Sequence, residues 1–70
     1  MPKLSGINHQ GAVKAFKRVG FWVIRQRKHI TMNDGERIIT IPRENPINSF
    51  TMAGIIKDAG LTIDEFKNLL

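Results

Sequence analysis

Apolar positions follow one rhythm at the start of this chain and another in its middle, and the changes of rhythm mark out its elements. Between Asn8 and Gly20 they recur at helical spacing, as Ala12, Val13, Ala15, Phe16 and Val19, with Asn8 placed to cap the first turn and Gly20 to stop the last. Gly11 inside this segment weakens a helix by up to about 1 kcal/mol relative to alanine. Packing of the apolar stripe onto a sheet must therefore hold it. From Phe21 the run Phe-Trp-Val-Ile is aromatic and β-branched, which predicts a strand with Trp22 in the core. It passes into Arg25-Gln26-Arg27-Lys28, a polar strand end or turn. The next stretch, His29-Ile30-Thr31-Met32, alternates as a half-buried strand does, so that if Ile30 and Met32 point inward, His29 and Thr31 face outward. Residues 1–7 show no periodicity and read as a lead-in.

Asn33-Asp34-Gly35 predicts a hairpin with a tight primed turn, because Asp-Gly supplies positive φ angles. The return strand is expected over Arg37 to Ile41, followed by a polar loop punctuated by Pro42 and Pro46. Ser49 or Thr51 is in position to cap a second helix that buries Met52, Ile55, Ile56 and Ala59 and stops at Gly60. Thr62-Ile63-Asp64-Glu65 has the form of a capping box, opening a short third helix that carries Phe66, Leu69 and Leu70. The expected architecture is a single α+β domain over residues 1–70, in the order helix, three-strand meander, helix, helix. The helices cover one face of the antiparallel sheet, and the other face, with His29 on it, stays open.

Composition narrows the function. The chain has 70 residues and no cysteine, which excludes a disulfide framework and a thiolate metal site. No segment approaches the roughly 20 apolar residues that span a bilayer, and the start of the chain has no hydrophobic signal core, so it reads as a cytoplasmic protein. Eleven Lys and Arg against six Asp and Glu give a net charge of +5 and a pI near 10.3. That balance favours polyanions. His9 and His29 lie on different elements and the carboxylates show no ligand spacing, so no metal or other cofactor is expected. The glycines sit singly rather than gathered in a phosphate-binding loop, and neither Ser5 nor Ser49 has the elbow that presents a nucleophile.

What remains is one histidine among cations, Arg25-Gln26-Arg27-Lys28-His29. This constellation suits RNA. Metal-free cleavage of RNA by its own 2'-hydroxyl requires a proton acceptor, a proton donor and positive charge on the phosphorane oxygens. An imidazole can move the proton, and Arg25, Arg27, Lys28, Arg37 and Arg43, on or beside the sheet, are the candidates to hold phosphate. His9 reads instead as a helix-start residue. The same features also allow an RNA-binding module that does not cut, or a protein-interaction subunit or co-repressor whose cations are merely solvated.

The pattern resembles the HicA toxins, also described as YcfA-like proteins, over nearly the whole chain. Ala15-Phe16 and Gly20-Phe21 look like that family's first helix and strand entry, and Arg25-Gln26 leading to Lys28-His29-Ile30 like its active-site strand. Asp34-Gly35 falls at its hairpin and Thr40-Ile41-Pro42 at the end of its third strand. The closing stretch from Thr51-Met52-Ala53-Gly54-Ile55-Ile56 to Gly60-Leu61-Thr62, with Glu65-Phe66 after it, is similar to its terminal helix signature. The resemblance implies a fold like a double-stranded-RNA-binding domain and the function of a toxin in a type II toxin–antitoxin system. It implies a metal-independent endoribonuclease that cleaves messenger RNA, with His29 catalytic and a HicB-like antitoxin covering the active face. The chain departs from the family pattern in three places. Arg27-Lys28 stands where many relatives have Gly-Ser, the segment from Gly20 to His29 is one residue shorter, and Glu44 occupies a neighbourhood where relatives often carry a second histidine.

Overall fold

The side chain that begins the first helix is Asn8, whose Oδ1 accepts a hydrogen bond from the Gly11 backbone N–H at 2.7 Å. The glycine belongs to that cap: a Cβ at position 11 would lie only 3.3 Å from the same oxygen. The structure, a computed structural model, describes residues 6–70, so of the lead-in only Gly6 and Ile7 fall within it, and Ser5 lies outside. Helix α1 spans His9–Lys17 and buries Ala12, Ala15 and Phe16. Its end is closed by the Phe21 N–H donating to the Phe16 carbonyl at 3.1 Å while Gly20 takes φ +99°. Val13 packs at the edge of the core, but Val19, beyond the helix, is exposed rather than part of the buried stripe.

Three antiparallel strands follow, β1 Trp22–Gln26, β2 His29–Asn33 and β3 Ile38–Pro42, in the order β1-β2-β3. Alternation along β2 and β3 sends Ile30, Met32, Ile39 and Ile41 to the helix side. Helix α2, Ser49–Asp58, buries Met52, Ile55 and Ile56, and helix α3, Ile63–Lys67, contributes Phe66. The expected layout is the observed one: a helix, a three-stranded sheet with one open face, then two helices. Phe16 joins the layers, with its ring 5.0 Å from that of Phe66 and 5.7 Å from that of Phe21, and all three rings are buried. Each such side chain withdrawn from water contributes roughly 1.5–3 kcal/mol.

Local readings that differ have local causes. Asn48, not Ser49 or Thr51, caps α2, because its Oδ1 takes the N–H groups of Phe50 at 2.8 Å and Thr51 at 3.3 Å. The hairpin between β2 and β3 is where Asp-Gly predicts it, yet only Gly35 has positive φ, at +99°. Side chains close a longer loop in place of a primed turn: Asn33 accepts from Gly35 N–H, and Asp34 from the N–H groups of Glu36 and Arg37. The third helix opens on the expected capping box, with reciprocal bonds between Thr62 and Glu65. Of its apolar residues Phe66 is buried and Leu69 partly so, whereas Leu70 is exposed. Trp22 is the main reversal. Phe21, just before the strand, enters the core, and Trp22 opposite Asn33 turns to the open face with 49% of its surface exposed.

Candidate nucleic-acid interface

A two-residue period normally assigns strand residues to faces, and a bulge alters that assignment in β1. Trp22 pairs with Asn33 and Val23 with Met32, but the register then slips, so that Arg25 pairs with Thr31 and Gln26 with Ile30. Without the slip Arg25 would stand opposite Ile30 and share its core-facing side. The extra residue, Ile24, places Arg25 beside Thr31 on the open face and leaves Gln26 on the helix side. His29 begins β2 opposite Pro42, exposed, on the face shared by Thr31 and Thr40. The residue is exposed, and no described residue hydrogen-bonds its ring.

The cations sort into two groups. Arg27 and Lys28 form the exposed turn between β1 and β2, directly before His29. Arg43 joins them from the far side of the sheet end, its Nε donating to the Arg27 carbonyl at 2.8 Å. With Arg25 these residues gather around the end of the sheet that carries His29. Arg37 does not. It precedes β3 at the other end, where Asn33 faces Ile38, four residues or about 13 Å along the strand from the His29 pair. Its guanidinium lies against the turn after α2, within 2.8 Å of where a Cβ on Gly60 would stand. The backbone N–H of Arg37, followed by that of Glu36, holds the Asp34 carboxyl below its ordinary range.

No family model, curated protein or solved structure matches this chain. The site must be read from its own chemistry. Among the described residues no group of three or more His, Asp or Glu side chains could hold a metal ion, and no helix is long and apolar enough to cross a membrane. The open face offers one imidazole, cations at one end, and exposed apolar side chains: Trp22 and Ile38 on the face and Ile24 in the bulge. Such a surface can bind a phosphate, stack a base on an indole and move a proton.

On the opposite side of the same sheet end lies a cleft of about 320 Å³ between α1 and the strands. It is lined by His9 and Lys17 among others and bordered by Arg43. In the sequence His9 reads as a helix-start residue. The contact that changes its standing, Nδ1 to Asn45 Oδ1 at 2.9 Å, joins positions 36 residues apart and has no local signal.

Proposed function

We propose that this protein is a metal-independent endoribonuclease acting on messenger RNA, with His29 as the group that moves the proton. The observation that carries the reading is the placing of an exposed, unbonded imidazole at the sheet end where Arg25, Arg27, Lys28 and Arg43 converge. These cations bind the scissile phosphate and offset the charge that grows on it in the transition state. His29 takes the proton of the attacking 2'-hydroxyl and, once protonated, returns one to the departing oxygen, which leaves a cyclic phosphate on one fragment. Arg37, at the other end of the sheet with its guanidinium against the turn after α2, stands outside this group. The HicA resemblance supports the same reading and adds its biological setting, a cytoplasmic toxin of a type II toxin–antitoxin system.

The partner in that setting is a small HicB-like antitoxin that seats on the open face. Trp22, Ile24 and Ile38 give it apolar surface, and the adjacent cations suit an acidic edge on the antitoxin.

One observation favours a second reading, an RNA-binding module that does not cut. The strand positions on the open face hold a single imidazole and no carboxylate to act as its partner in proton transfer. Incubating the purified protein with mixed messenger RNA in chelator separates the two. Fragments ending in cyclic phosphate support the nuclease. Intact RNA that remains bound supports the module.

A further inference from the structure

We infer that the cleft between α1 and the sheet is a second phosphate-binding site, built around His9 and adjoining the first at Arg43. Its polar lining consists of His9, Gln10, Lys14, Lys17, Gln26 and Arg43, over an apolar floor that includes Val13 and Ile30. Gln10, Lys14 and Lys17 stand four and three residues apart, so the helix itself aligns them on one face. The bulge in β1 contributes Gln26 from across the cleft, since it is the register slip that turns this residue to the helix side. None of the six acidic side chains of the chain lines the cleft, not even Glu44, the neighbour of Arg43. Three cations thus face the same 320 Å³ with no carboxylate to neutralise them.

His9 has a defined tautomer, and the hydrogen bonds fix it. Asn45 Oδ1 lies 3.2 Å from the His9 backbone nitrogen and 2.9 Å from its ring Nδ1. A backbone N–H can only donate, so the atom facing it is the carboxamide oxygen and not its nitrogen. The ring Nδ1 meets the same oxygen and must also donate. The proton of the neutral ring therefore sits on Nδ1, and Nε2, which has no partner among the described residues, carries the lone pair. On protonation Nε2 becomes a donor while the Asn45 bond is retained, which is the form that an anion in the cleft selects. Asn45 is itself held in place, because two residues on the Ile47 N–H donates to the Ile7 carbonyl at 2.7 Å and ties this loop to the start of α1.

The ligand is a phosphate group: either a phosphodiester of an RNA whose backbone passes round the sheet end by way of Arg43, or the terminal phosphate of a nucleotide. The site does not depend on cleavage at His29, and its failure would leave that reading untouched. Isotope-labelled protein is titrated at constant ionic strength with inorganic phosphate, with a nucleoside monophosphate, and with a 2'-O-methyl oligonucleotide lacking terminal phosphate, and amide and imidazole signals are followed. Phosphate should shift signals from His9 to Lys17 and at Arg43. The Lys14→Gln/Lys17→Gln variant should bind it roughly tenfold more weakly or worse, as loss of charge-assisted bonds requires. Arg37→Gln should bind within about twofold of the native chain, because its guanidinium lies at the other end of the sheet against Gly60. Shifts with the oligonucleotide identify the backbone as the source, and shifts with the monophosphate alone identify a terminal phosphate. No response at α1 to any of the three, or a response unchanged in the double lysine variant, overturns the proposal, as does a His9 ring with its neutral proton on Nε2.

Discussion

Replacing Arg25 and Lys28 together by glutamine should flatten the salt dependence of RNA binding by a calculable amount. Each phosphate neutralised on a single strand contributes about −0.7 to the slope of log affinity against log salt. The four cations around His29 therefore contribute about −2.8, which between about 50 and 200 mM salt is a loss of roughly fiftyfold in affinity. Removing two of them leaves about −1.4, and the corresponding loss falls to roughly sevenfold. The structure also supplies the control. Arg37 stands at the opposite end of the sheet with its guanidinium against Gly60, so Arg37→Gln should leave the slope for a short oligonucleotide unchanged. Fluorescence anisotropy of a labelled 2'-O-methyl oligonucleotide, titrated at five or so salt concentrations for each variant, reads all three slopes without interference from cleavage. A double variant with the native slope, or an Arg37→Gln slope as shallow as that of the double variant, would refute the grouping of cations.

Three further outcomes test the fold that carries the site. Phe16→Ala removes a fully buried ring in contact with Phe21 and Phe66, and urea denaturation should show a loss of about 3–5 kcal/mol, a large part of what a domain of this size possesses; a loss under about 1 kcal/mol would mean that the core is not organised around it. Gly60→Ala forces a side chain onto a residue at φ +78° and toward the Arg37 guanidinium, and should cost about 1–2 kcal/mol. Because the arginine can swing away, Gly60→Ala in an Arg37→Ala background should cost nearly as much, and full recovery there would show the clash, not the backbone, to be the cause. Asp34 is held below its ordinary value of 3.8 by the Arg37 and Glu36 N–H groups, so its contribution to stability is present above that value and is lost as pH falls through the lower folded one. Asp34→Asn should therefore be less stable than the native chain near neutral pH, and the gap should close as urea midpoints are taken into acid.

Most of the architecture was legible because its signals are local. Asn8, the Thr62 to Glu65 box and the glycines after the helices act within one turn of chain, and Ile30 and Met32 assign the faces of β2 by alternation alone. What was not legible depends on register or on distant partners. The bulge at Ile24 decides which face Arg25 and Gln26 join, yet nothing in Val-Ile-Arg-Gln marks a slip. Trp22 belongs to an apolar run that reads as core, and only its pairing with Asn33 turns it outward. Asn48 stands before both hydroxyl candidates, and its carboxamide takes the N–H groups of Phe50 and Thr51, so the helix starts earlier than either would set it. His29 was visible as chemistry from its neighbours and Arg43 as a candidate cation, but the bond of Arg43 to the carbonyl of a residue 16 positions away has no local signal. The same applies to His9, whose partner Asn45 comes from the loop after β3.

The central claim is that His29 cleaves RNA that the surrounding cations hold. The most direct test measures binding and cleavage of one RNA oligonucleotide in chelator, side by side, for the native chain and His29→Ala. General acid–base catalysis contributes roughly a hundredfold to ten-thousandfold in rate, so the variant should lose cleavage by at least a hundredfold while binding within about twofold of the native chain. Equal cleavage by both proteins would contradict the account, and so would intact RNA bound equally by both, which would leave a cationic RNA-binding surface with no chemistry at its histidine.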